Sequence, residues 1–425
     1  MGKSNLKICV VESMGGMYLP LALELSKYFA KTYYHTAYQS PFPYCAPDAV
    51  GTGYEQIEVI RNFWDKLDGI DLVIFPDIYY EDWGYILRKM GKLVWGGNQS
   101  EDIESNRNLF YDLLERLNMN NGDYKVIKGI QPLKQYLKNK TNLFVKVSYY
   151  RGQFETFHFI SQAHNGVQLD EIEYNLGPLG DTIEFIVQSP IKSDSELGFD
   201  GYAVNGYTPK NFIQGIEIKN AGYLGKADNI TSAPKPITEI NTKFQPALTS
   251  YKHTGFYSTE VRYNSKTNES YYIDPCMRAG SPPSNVYLAM IDNWDEILVE
   301  GAKGHLVEPT FRAKYGCEII LKSSYVNNNY LPVSFDPAFI ENVKLKGSFI
   351  KNNVYYVIPF AKVVGYELEE IGGVVTIGND YNQVMEDALA IAAKIEAYDL
   401  RYESTAIEQA LEQMQGLEKK LKFKF

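Results

Sequence analysis

Tyr272-Ile273-Asp274-Pro275-Cys276-Met277-Arg278-Ala279-Gly280-Ser281-Pro282-Pro283 reads as a strand that ends in a turn. Its period of two sets Asp274 and Cys276, with Arg278 beyond them, on one face. Upstream, Gly255-Phe256-Tyr257-Ser258-Thr259-Glu260-Val261-Arg262-Tyr263 is a second strand, with Glu260 and Arg262 on one face. The polar turn Asn264-Ser265-Lys266-Thr267-Asn268 separates Gly255–Tyr263 from Glu269–Met277, so the two are expected to pair. Pairing brings two carboxylates together. That is unfavourable unless a cation neutralises them, either a metal ion such as Mg2+ or an arginine in a cross-strand salt bridge, and this charge set allows both.

Working back along the chain, Lys146 interrupts the apolar strand Phe144-Val145-Lys146-Val147. A charge there needs either a phosphate to offset its desolvation or an edge-strand position facing water. Leu143 to Phe159 reads as a hairpin turning at Arg151-Gly152, and Ile183–Gln188 as another strand. Asp194, Glu196 and Asp200 follow. A carboxylate at that point can accept both hydroxyls of a ribose or can simply lie on the surface.

The first hundred residues alternate short apolar runs with helical patterns, the mark of a parallel sheet with crossover helices. Strands are expected at Ile8–Val11, Asp71–Asp77 and Lys92–Gly97, and a helix from Leu19 to Phe29. Gly15-Gly16 lacks the dinucleotide fingerprint and reads as a tight turn. A helix is expected from Ser100 to Leu117, with Ser100 as N-cap and Glu101, Asp102 and Glu104 complementing its dipole. Ala221 to Thr242 reads as a loop-rich insertion, Cys317 to Gly373 as strand-rich, and Tyr381 to Leu421 as helical with Val384, Ala388, Ile391, Ala392 and Ile395 on one face.

Composition narrows the function. The 425 residues imply two to four domains. A net charge of −10 argues against an extended nucleic-acid footprint, the dense basic run Lys419–Phe425 reading as a solvated terminus. Cys9, Cys45, Cys276 and Cys317 show no metal or disulfide spacing, and no apolar run is long enough to span a bilayer. A soluble, cytoplasmic protein is expected.

Taken in order, these pieces resemble the ATP-grasp superfamily, and within it the phosphoribosylamine–glycine ligase family. Tyr272–Pro283 is similar to that family's "v-l-E-f-N-x-R-f-G-D-P-E". Gly91–Gly97 followed by Glu104–Phe110 resembles its strand, turn and helix start, and Phe185–Ile191 its adenine hinge. Ser195–Gly201 resembles the segment that contacts ribose, and Gly372–Gly378 the closing C-terminal element.

The resemblance implies an α/β architecture: a Rossmann-like domain over residues 1–100, ATP-grasp small and large subdomains of α+β character over 101–190 and 191–310, and a small strand-rich C-terminal domain with a terminal helix over 311–425. It assigns Arg107 and Lys146 to the ATP phosphates, Gln188 and Ile191 to adenine, Glu196 to ribose, Glu260 and Asp274 to Mg2+ or Mn2+, and Arg278 to the transferring phosphate. The implied activity joins a small-molecule carboxylate to an amine through an acyl phosphate, in a monomer or homodimer.

Three departures stand out. Cys276 replaces the metal-binding Asn, and Ser281, Pro282 and Pro283 replace the "D-P-E" acids. The lid Ser148–Gln153 has one glycine where the family has several. These departures leave two further readings open: a degenerate nucleotide-binding module, or a ligase for another acceptor such as a modified nucleotide or a peptide.

Overall fold

A computed structural model describes residues 3–13, 15–36, 49–148, 156–193, 195–359 and 369–421. The expected hairpin turn at Arg151-Gly152, the lid beyond Ser148, Cys45, Asp194 and the last four residues lie outside them.

Ile8, Cys9, Val10 and Val11 are fully buried on both faces, as a strand between neighbours in a parallel sheet must be. They lie in Ser4–Glu12, the middle strand of five in the order Glu58–Val59, Phe29–Thr36, Ser4–Glu12, Leu72–Ile74, Leu93–Trp95, all parallel. The expected helix from Leu19 stops at Leu25, and Phe29 instead opens the second strand. Gly15 and Gly16 turn with φ of 64° and 97°, the left-handed region that favours glycine. Gly16 is also a seam, because its carbonyl accepts from Gly347 N at 2.8 Å and a Cβ there would lie 2.5 Å from Gly347 Cα.

A four-stranded antiparallel sheet follows, ordered Tyr124–Lys128, Glu184–Gln188, Leu143–Val147, Thr156–Phe159. With helices Ile130–Leu137 and Gln162–Leu176 it encloses a core of its own, built on Leu133, Val145, Leu169 and Phe185.

The largest sheet has eight strands, each antiparallel to its neighbours: Glu269–Cys276, Gly255–Asn264, Ser195–Ala203, Asn211–Ile218, Gly222–Asn229, Tyr315–Lys322, Glu370–Gly378, Val343–Leu345. It shares a core with the N-terminal sheet, where Trp95 meets Tyr202 and Phe256 at ring distances of 5.8 and 5.7 Å. This sheet corrects the expected insertion from Ala221 to Thr242, which is an interior strand, Gly222–Asn229, and the start of the helix Lys235–Ser250. Its glycines and asparagines hid a strand whose burial comes from its neighbours. The sheet also draws strands from both sides of residue 310.

A second four-stranded sheet, Ser348–Lys351, Val354–Val357, Leu331–Ser334, Glu396–Ala397, completes the C-terminal part. The expected helical run from Tyr381 is two helices, Tyr381–Ala392 and Ala406–Leu421, with the short strand Glu396–Ala397 between them. Val384, Ala388 and Ala392 face the core as expected, while Ile395 lies beyond the first helix. Among the described residues no helix is long and apolar enough to cross a membrane.

Candidate nucleotide and metal site

The two strands read from the sequence do pair, and their register sets Glu260 opposite Asp274 and Ser258 opposite Cys276. A bulge after Glu260 re-aims the residues that follow. Burial first, then the Glu196 and Asp274 carboxylates, push the Glu260 carboxyl above its usual range. Of the two cations left open by the sequence, arginines stand beside this pair. Arg107 Nη1 lies 3.2 Å from Asp274 Oδ1, and Arg262 reaches Glu260 at 4.0 Å and Glu196, on the next strand, at 3.1 Å. Among the described residues no group of three or more His, Cys, Asp or Glu is placed to hold a metal. Cys276 Sγ donates weakly to the Arg278 carbonyl at 3.5 Å.

Arg107 owes its position to a break that the sequence reading missed. The expected helix from Ser100 to Leu117 is two, Glu101–Ser105 and Arg107–Arg116. Asn106, in extended conformation, caps the second by accepting from Leu109 N, so Arg107 sits at a helix N-terminus. Ser100 is not a side-chain cap. Its hydroxyl pairs with His253 Nδ1 at 2.6 Å.

Lys146 is on an interior strand and only 5% exposed, which removes the edge-strand alternative. Its Nζ lies 5.9 Å from the centre of the Tyr111 ring, and among the described residues it has no carboxylate partner within salt-bridge distance. Burial lowers its pKa, with Asp274 opposing and Arg107 adding to the effect. A buried ammonium in this setting fits an anionic ligand.

Six of the eight residues singled out from the sequence, Arg107, Lys146, Gln188, Ile191, Glu260 and Asp274, line one cavity of 340 Å3 between the small sheet and the hairpin. The Gln188 side chain is tied to the wall, donating to the Asn121 carbonyl at 2.7 Å.

Glu196 and Arg278 line an adjoining cavity of 240 Å3, which shares Glu260 and Asp274 with the first. Glu196, expected to contact ribose, lines the cavity that also holds the carboxylate pair. Arg278 is held by Glu104 at 2.9 Å and Asp77 at 3.7 Å, and donates to the Tyr18 hydroxyl. Burial works against its charge, but Glu104 and its other neighbours hold the guanidinium well above its ordinary pKa.

Glu104 is therefore more than a helix-dipole acid. One oxygen takes Arg278 and the other accepts from Met277 N at 2.7 Å, clamping the segment that leaves the hairpin. Glu101 is likewise buried and accepts from Tyr80 N, its carboxyl pushed by burial up to about 7. An acid in the first turn of a helix carries no sequence mark that separates a clamp from a dipole partner.

No protein-family model matches the chain, and no curated protein matches it in sequence. Solved structures do match in fold. Phosphoribosylamine–glycine ligase from Thermotoga maritima superimposes with a TM-score of 0.69 at 13% identity, over 93% of this chain and 99% of that one. The biotin carboxylase domain of the 2-oxoglutarate carboxylase of Hydrogenobacter thermophilus, solved with MgADP, ADP and bicarbonate, gives 0.66 at 10% identity, over 97% and 99%. N5-carboxyaminoimidazole synthetase from Staphylococcus aureus, complexed with ADP, gives 0.59 at 11% identity, over 92% and 97%. The chain shares its fold with these three structures.

Proposed function

We propose that this chain is an ATP-dependent ligase that activates a small carboxylate as an acyl phosphate and joins it to an amine. The reading rests on one observation: Glu260 and Asp274 face one another across a hairpin, in the cavity that also holds the buried Lys146, which has no salt-bridge partner among the described residues. Facing carboxylates call for a divalent cation and a buried ammonium calls for an anion, and a metal–polyphosphate meets both needs at once. Similarity to the three ligase structures supports the reaction class.

In this reading Arg107 and Lys146 hold the phosphates, Gln188 and Ile191 bound the base, and Glu260 and Asp274 hold Mg2+ or Mn2+. Bound ATP with its metal supplies the phosphoryl group that activates the carboxylate. The protein's own share is positioning and charge: Lys146 and Arg107 neutralise the charge that builds on the phosphates, and Arg278, fixed by Glu104 and Asp77, faces the transferring group from the adjoining cavity. An amine then attacks the acyl carbon and phosphate leaves.

The Arg107–Asp274 contact favours a second reading, a nucleotide-binding module without catalysis, since it leaves one metal carboxylate already paired. Thermal melts with ATP and Mg2+, beside Asp274→Asn, separate the alternatives, because a ligand bound only by the native state raises Tm. The ligase reading expects a magnesium-dependent rise that the variant loses. A rise of equal size in both proteins fits the module, and no rise in either at millimolar ATP refutes both.

A further inference from the structure

The 240 Å3 cavity beside the carboxylate pair has six acids in its wall, Glu104, Glu196, Asp200, Glu217, Glu260 and Asp274, against the single arginine Arg278. Four of the six have partners of their own. Glu104 holds Arg278, Glu196 takes Arg262, and Asp274 takes Arg107, while Glu260 stands opposite Asp274 with Arg262 at 4.0 Å. Asp200 and Glu217 remain, and among the described residues neither has an ion pair.

Asp200 is not a surface acid. It is 5% exposed, on an interior strand, and its Oδ2 accepts from the Tyr223 hydroxyl at 2.6 Å. Ser258, 6% exposed on the same wall, has a hydroxyl near this carboxylate that completes no hydrogen bond of ordinary geometry. Gly198 and Gly215 flank the site, and a Cβ on Gly215 would lie 2.0 Å from the Tyr223 hydroxyl that steers Asp200. A buried carboxylate with one oxygen engaged, beside an unsatisfied hydroxyl, is a site waiting for hydrogen-bond donors that carry positive charge.

We infer that this cavity is the acceptor subsite of the proposed ligase and binds the amine as a small primary ammonium, with Asp200 as its anchor and Glu217 at its rim, the ammonium losing a proton to solvent before its nitrogen attacks. The inference rests on the ligase reading for its place in the reaction. Its volume corresponds to roughly eight water molecules, enough for a short amine and too small for a folded partner. The wall repels an anionic acceptor.

The test measures Tm at pH 8 with MgADP present, adding ethylammonium, tetramethylammonium or acetate at matched ionic strength, for the native protein, Asp200→Asn and Glu217→Gln. Ethylammonium alone should raise Tm, with at least a tenfold loss of apparent affinity in Asp200→Asn and a smaller loss in Glu217→Gln. Equal shifts from all three salts, a shift from acetate alone, no shift, or an ethylammonium shift unchanged in both variants would overturn the inference. MgADP's own shift is read first on every protein. Where it is absent while the ammonium shift stands, the nucleotide reading fails and the subsite survives; where it is present while the ammonium shift is absent, the reverse holds. Should Asp200→Asn not fold, Glu217→Gln decides alone.

Discussion

Replacing Lys146 with Met should move stability and nucleotide affinity in opposite directions. The ammonium is buried on an interior strand, no described acid pairs with it, and its pKa is lowered chiefly by burial. A depressed lysine binds fewer protons in the folded than in the unfolded state, so at neutral pH it costs stability that is recovered only as pH rises toward its unfolded pKa. Met keeps the unbranched shape and removes that cost, so the ligand-free variant should melt no lower than the native protein. Nucleotide binding loses a charge-assisted hydrogen bond worth about 1.5–3 kcal/mol, or roughly a 10- to 150-fold weaker Kd for MgATP. At a nucleotide concentration 100 times the native Kd, a hundredfold weakening cuts the ligand's stabilisation from about 2.7 to about 0.4 kcal/mol. Titration calorimetry gives the Kd, and urea melts of the free proteins give the stability. Lower stability of the free variant with an unchanged Kd would refute the argument, since it would make Lys146 a structural cation.

Two further outcomes test the frame around the site. Gly16→Ala puts a Cβ at φ 97° and 2.5 Å from Gly347 Cα, so the seam between the N-terminal turn and the C-terminal strand should lose about 2–5 kcal/mol by urea midpoint; a loss under ~1 kcal/mol would show the turn to be plastic. His253 is fully buried between Ser100 Oγ and the Phe256 carbonyl, and burial lowers its pKa to about 4. The folded state therefore binds fewer protons, and the stability this contributes, complete above about 6.5, drains away as pH falls toward 4, by up to about 3 kcal/mol. His253→Gln should flatten that part of the pH–stability curve relative to the native protein, and parallel curves would count against it.

What was legible in the sequence was whatever the chain decides locally. Ile8–Val11 announced a doubly buried strand by being apolar without interruption. The Glu260–Asp274 pairing followed from period-two alternation on both sides of a short polar turn, and Lys146 was conspicuous because nothing else in its strand is charged. What escaped needed partners remote in sequence. Gly222–Asn229 is a strand because Asn211–Ile218 and Tyr315–Lys322 flank it, though its own composition reads as loop. Ser100 had the right chemistry for an N-cap, but a histidine 153 residues away takes its hydroxyl. The break at Asn106 was hidden because Asn both caps helices and occurs within them. Arg278 was singled out by the resemblance, yet the two acids that fix it come from the N-terminal sheet region and the following helix, which no local spacing connects to it.

These remote pairings determine how the proposed site must work. The arginines lining the two cavities are each engaged by another acid: Arg107 with Asp274, Arg262 with Glu196, Arg278 with Glu104. The acids exceed the arginines, which is why burial and its neighbours push Glu260 above its usual range. A metal ion arriving alone would have to pull Asp274 from Arg107 and leave that guanidinium, 8% exposed, without its acid. In the proposed site a metal arriving with polyphosphate would avoid that cost, because the phosphates would take Arg107 and Lys146 as the metal took Asp274 and Glu260. The charge arrangement thus favours binding of the metal–nucleotide complex over either component, and the same preference leaves Asp200 and Glu217 as the anions still to be satisfied when the amine arrives.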